Sequence, residues 1–213
     1  ASDVYKRQPY TSVIKINRQY TLGLTIDDMI MINKQIHNRQ MLSMSDHKLG
    51  DIGSSNESAI FWFREEGFDA FTFNPYSGNV QETTELAHKS GLGIIVLTLM
   101  SNPQAILQKE ASIQGKPLYQ HIAQLCKEAN SDGCVIGATA HVEPSDILEI
   151  HRIVGENAIA LVPGVGEQGG SADTLLKSFK TKTMVNVSRG VIYSPSPAEK
   201  AKELQDMLNN LLN

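Results

Sequence analysis

Short, continuous runs of apolar and β-branched residues recur along the chain, and each is followed by a stretch with helical spacing. The runs are Val13–Asn17, Met41–Ser45, Ala70–Asn74, Gly93–Thr98, Gly133–Ala138, Ala158–Val162 and Thr183–Val187. They lack the polar alternation of a half-exposed sheet and read as strands covered on both faces. Between them the 3.6-residue pattern predicts helices over Ile26–His37, Ser55–Glu66, Val80–Lys89, Leu118–Ala129, Pro144–Val154 and Thr174–Phe179. A terminal helix follows over Pro197–Leu212. Thr25 ahead of Ile26-Asp27-Asp28, Glu143-Pro144-Ser145-Asp146, and Ser196-Pro197-Ala198-Glu199 supply the expected start signals.

Strand and helix in strict alternation indicate right-handed βαβ units and a parallel sheet. Seven strands are one short of a TIM (β/α)8 barrel, and the shortfall falls at the front of the chain, so the expectation is a barrel lacking its first strand. A doubly wound sheet is the rival, but no Gly-x-Gly-x-x-Gly follows the opening strand. Residues Asp3 to Gln8 resemble one reading frame through a DNA-library adapter. We therefore expect residues 1–8 to be a non-native leader and 9–213 to form one barrel domain.

Composition narrows the picture modestly. A net charge of −4 gives no basic footprint for nucleic acid, though local lysines and arginines can still receive a small anion. The apolar run from Leu92 to Met100 is too short to span a bilayer. The two cysteines, Cys126 and Cys134, have no zinc-type partners and are expected to be core residues of a cytoplasmic protein. None of the six histidines has metal-ligand spacing; His141 follows a strand and is expected to be a solvated loop residue. Trp62 and Phe63 fit helix packing. No Gly-x-Ser-x-Gly elbow is present.

In a parallel barrel the chemistry sits at the C-terminal ends of the strands, and the unusual polar residues of this chain fall there. Lys15 lies near the end of the first run, Asp46 and Lys48 follow the second, and Ser101-Asn102-Pro103 follows the fourth. In extended geometry Asp46 and Lys48 share a face. Carboxylates around an ammonium keep it charged and make it a candidate proton donor; a solvated charge cluster is the alternative. The segment Pro163–Gly170 holds four glycines in eight residues, and Arg189 follows the next strand. Glycine N–H groups and a guanidinium together suit a phosphate.

Taken in order, these motifs resemble the orotidine 5′-monophosphate decarboxylase family. Asp46-x-Lys48-x-x-Asp51-Ile52 is similar to its lysine–carboxylate motif, and Ile14-Lys15-Ile16 resembles the strand that carries its second lysine. Leu97–Pro103 resembles the pyrimidine-contacting segment, while Pro163–Gly170 and Ser188-Arg189 resemble the phosphate site. Phe73-Asn74-Pro75-Tyr76-Ser77-Gly78 is closer to the longer bacterial branch. The resemblance implies decarboxylation of orotidine 5′-monophosphate to UMP with neither metal nor organic cofactor. Lys48 would protonate C6, with Asp46, Asp51 and Lys15 completing the charged array. Ser55 would lie near the ribose, Ser101 at the pyrimidine edge, Pro163 and Val165 along its apolar side, and Gln168 and Arg189 at the phosphate. It also implies a homodimer in which Asp51, Ile52 and Ser55 reach the partner's site.

Two expectations qualify this. The family's first strand supplies a ribose-binding aspartate, and no such strand is seen here, so the chain alone is expected to fold poorly or turn over slowly, with two exposed sheet edges. A sugar-phosphate decarboxylase or aldolase of the same superfamily, or a non-catalytic phosphate-binding barrel, stays open as the alternative.

Overall fold

Seven parallel strands curve around a common apolar lumen, each one followed by helical cover on the outside. A computed structural model describes residues 10–139, 141–164 and 169–212. The expected leader, and with it residues 1–9, lies outside the described residues, as do Val165 and Gln168.

The barrel strands are β1 (Val13–Asn17), β2 (Leu42–Leu49), β3 (Ala70–Phe73) and β4 (Gly93–Leu99). After a small hairpin of β5 (Ser112–Ile113) and β6 (Lys116–Pro117) come β7 (Gly133–Ile136), β8 (Ile159–Pro163) and β9 (Thr183–Asn186). The helices are α1 (Ile26–His37), α2 (Gly53–Glu65), α3 (Val80–Lys89), α4 (Leu107–Glu110), α5 (Leu118–Ala129), α6 (Pro144–Val154), α7 (Gly169–Phe179), α8 (Arg189–Ile192) and α9 (Pro197–Leu212). Thr25 caps α1 reciprocally with Asp28, and Asp146 accepts the Glu143 N–H at 2.9 Å at the head of α6. Hairpin and short helices were not anticipated, since two-residue strands and single turns leave no periodicity to read.

Alternation along each strand sorts the core into layers. Met44, Ile95, Leu97, Val135 and Leu161 fill the lumen. Their neighbours Phe71, Phe73, Ile94 and Val96, with Cys134, Ile136, Ala160 and Val162, pack outward against the helices. Cys126 and Cys134 are free and buried, and desolvation pushes the Cys126 thiol up to about 11. Close approach of β7 to β8 requires Gly133, where a Cβ would stand 2.2 Å from the Ile159 carbonyl oxygen. No helix among the described residues is long and apolar enough to cross a membrane.

The sheet runs β1-β2-β3-β4-β7-β8-β9, and among the described residues β9 does not pair with β1. The expected seven-stranded barrel is thus what forms, with a cleft of about 740 Å³ between its end strands. Val13 and Lys15 line one side, Met184 and Asn186 the other, and Leu204 and Leu208 of α9 form its outer wall.

Candidate active site

Because all strands run the same way, their C-terminal ends share one rim, and the charged residues gather there. β2 extends further than the sequence pattern suggested, to Leu49, so Asp46 and Lys48 lie within the strand rather than after it. Pairing of β2 with β3 shifts register between Ser45 and Leu49, and Lys48 adopts a left-handed conformation with φ 55°. A bulge re-aims the side chain that sits on it. It brings the Lys48 ammonium to 2.7 Å from Asp46 Oδ1.

Lys15, one strand over and inward-facing on β1, donates to the other oxygen, Asp46 Oδ2. Thr72 on β3 completes the set by donating its hydroxyl to Asp46 Oδ1 at 3.0 Å. The carboxylate is buried, with its side chain 8% exposed, whereas Lys48 keeps 38%. Burial pushes the Asp46 carboxyl up, but Lys15 and then Lys48 overcome that and hold it below the usual carboxylate range. A fixed anion between two cations therefore lies at the rim, with the more exposed ammonium available to a ligand. Thr72 was missed in the sequence, although it is the one polar residue of an otherwise apolar strand, spaced two from inward-facing Ala70.

His47 points the opposite way, edge-on to Phe63 with ring centroids 5.3 Å apart. Burial, then the charges of Arg18 and Lys48, lower its pKa and favour the neutral ring. Phe63 is core as expected, but Trp62 is 45% exposed and stacks edge-on with Phe61, itself 51% exposed. Helix packing therefore accounts for only one of that pair.

Asp51 is not drawn into the array. It is exposed and accepts the Ile52 N–H at 2.8 Å, and it forms no ion pair among the described residues. Ile52 is 62% exposed and Ser55 exposed beside it, in the first turn of α2. Ser101 follows β4 and is half-buried; Pro163 ends β8, and Arg189 opens α8 just past β9, exposed. Pro163 and Asn186 are register partners, which sets the Arg189 segment beside the turn at Gly164. His141 departs from expectation. Rather than a solvated residue, it is half-buried, with Nε2 2.9 Å from the Met100 carbonyl oxygen.

A parallel β/α barrel whose rim carries alternating lysine and carboxylate is the class that fold and site define. The chain belongs to the family described as orotidine 5′-phosphate decarboxylase / HUMPS, whose model matches residues 2–204. It is 38% identical over 158 residues to the orotidine 5′-phosphate decarboxylase of Cupriavidus metallidurans, covering 70% of this chain and 56% of that protein. To the decarboxylase of a Janthinobacterium species it is 34% identical over 185 residues, covering 78% and 66%. The chain thus spans between about half and two thirds of the length of these curated relatives.

Among solved structures, orotidine 5′-monophosphate decarboxylase of Methanocaldococcus jannaschii, complexed with the inhibitor BMP, superposes with a TM-score of 0.79 at 24% identity. It covers 98% of this chain and 91% of that one. OMP decarboxylase of Leishmania donovani gives 0.83 at 20%, covering 99% and 85%. At these identities the likeness establishes the shared fold.

Proposed function

We propose that the protein decarboxylates orotidine 5′-monophosphate to UMP, the closing step of pyrimidine nucleotide synthesis. The observation that carries this is the Lys15–Asp46–Lys48 array on the rim of a barrel whose bacterial relatives bear that name. Substrate enters with its carboxylate toward Asp46, where two anions confront one another. The bond from C6 to the carboxylate breaks, CO2 leaves, and the electron pair stays on C6. The Lys48 ammonium stabilises that charge and then delivers a proton to C6. Such an array favours the carbanion-like transition state over the bound substrate.

Asp46 has both oxygens engaged by ammonium groups, a donor set that suits electrostatic catalysis better than a divalent cation. The reading therefore assigns no metal and no organic cofactor. Ser101 takes the pyrimidine edge, Pro163 and Val165 its apolar side, Ser55 the ribose, and Gln168 with Arg189 the phosphate. Binding of the remote phosphate helps organise the reacting end.

Asp51, Ile52 and Ser55 are assigned to the site of a second copy in a homodimer. Exposure of Ile52, Phe61 and Trp62 on and beside α2 supports this, since an apolar patch of that kind suits a self-complementary interface. The protein is assigned to the cytoplasm, where its soluble nucleotide substrate would be met.

Loss of orotidine 5′-monophosphate absorbance in the presence of EDTA tests the proposal. Turnover that persists in EDTA and disappears in Lys48→Ala supports it. Metal-dependent turnover of a sugar phosphate would place the protein in the other branch of the family, and nucleotide binding without turnover would make it a binding barrel.

A further inference from the structure

The segment just past β4 is held by its main chain from three directions. Gln108 of α4 accepts the Met100 N–H at 2.9 Å. His141 Nε2 lies 2.9 Å from the Met100 carbonyl oxygen, and the Thr139 hydroxyl donates to the Ser101 carbonyl at 2.8 Å. A carbonyl can only accept, so His141 carries a proton on Nε2. Its Nδ1 stands 3.2 Å from the same Thr139 hydroxyl, so the two side chains lie side by side.

The brace is itself anchored. Lys109 donates to the His141 carbonyl at 3.1 Å and pairs with Asp146 of α6 at 2.8 Å. On the other side, Gly137 lets the Ser101 backbone lie against the end of β7: a Cβ there would stand 2.6 Å from Ser101 Cα and 2.7 Å from its nitrogen. Gly164, at φ +91°, brings the turn after β8 alongside, within 4.0 Å of Ser101 Cβ for an added Cβ. Three strand ends therefore converge on one serine. Among the described residues none of these contacts uses its hydroxyl, which leaves it to a ligand.

We propose that Thr139 and His141 are positioning residues that hold the Ser101 hydroxyl in the orientation that reads the nucleobase edge. This rests on the assignment of Ser101 to the pyrimidine in the proposed function. Neither residue touches substrate; each fixes a carbonyl of the segment that does. Small displacements of such a segment are enough to cost binding, because a hydrogen bond weakens steeply with angle and distance.

Affinities for UMP and for ribose 5-phosphate, which lacks the base, test it by titration calorimetry. Thr139→Val and His141→Phe should each weaken UMP binding about three- to tenfold, the scale of one hydrogen bond, and leave ribose 5-phosphate unaffected. Thr139→Ser should restore UMP binding. In a Ser101→Ala background, Thr139→Val should add no further loss, since residues acting through one group are not additive. Equal loss for both ligands, or a full additional loss in the double variant, would overturn the brace. Unchanged UMP affinity in Ser101→Ala would instead overturn the placing of Ser101, and the inference with it.

Discussion

The backbone N–H of Lys48 donates to the Thr72 hydroxyl at 3.0 Å, while that hydroxyl donates in turn to Asp46. One side chain on β3 thus secures both the bulge in β2 and the carboxylate beside it. It is buried, 1% exposed, so water cannot replace it.

Thr72→Val keeps the shape and removes both bonds. Leaving a buried donor and acceptor unpaired should cost about 1–3 kcal/mol of stability, read from urea denaturation. Turnover should fall as well, because Asp46 and Lys48 lose their common support. Thr72→Ser should recover most of both.

The left-handed conformation of Lys48 separates its chemical role from its structural cost. Lys48→Ala and Lys48→Gly should be equally inactive. The glycine variant should nonetheless be more stable than the alanine variant by about 1 kcal/mol, since only glycine occupies that region freely. Equal stability, measured by chemical denaturation, would mean that the bulge relaxes when the lysine is lost.

His47 and Asp46 set two windows of pH dependence. Both are lowered from ordinary values of 6.5 and 3.8 respectively, His47 by burial and neighbouring positive charge, Asp46 by its lysines against the opposing effect of burial. In each case the unfolded chain binds a proton before the folded one does, so stability is full above the ordinary value and declines as pH falls toward the folded one. His47→Leu should remove the first decline, just below 6.5, and leave the second. Denaturation midpoints measured from neutral pH to below 3.8 distinguish the two.

Among the described residues, the cleft between β1 and β9 leaves two parallel edges unpaired with one another. An extended, β-branched segment fused ahead of Tyr10, long enough to pair with both, should raise the urea midpoint and suppress concentration-dependent association. It should also sharpen turnover, because Lys15 lines the cleft. Unaltered stability after fusion would mean that α9 already serves as an adequate seal.

Long elements were legible in the sequence because burial on both faces leaves continuous apolar runs, and helix caps such as Thr25 mark their starts. Lys15, Asp46 and Lys48 could be placed at one rim from strand direction alone. What escaped notice was set by tertiary contact: Thr72 in an apolar strand, the bulge at Lys48, and the bonds of His141 across two loops. The extent of β2 was misjudged for a related reason. Asp46, His47 and Lys48 look like a loop by polarity, yet the barrel supplies each with partners that keep it in the strand. Asp51 stands apart because, among the described residues, no charged side chain pairs with it.

The most direct test is the single-turnover rate of UMP formation from orotidine 5′-monophosphate by the unaltered protein and by Lys48→Ala. If Lys48 delivers the proton to C6, the variant should be slower by about 10²–10⁴-fold, the usual contribution of a positioned acid, with substrate still bound. UMP formed by Lys48→Ala at the unaltered rate would contradict the account.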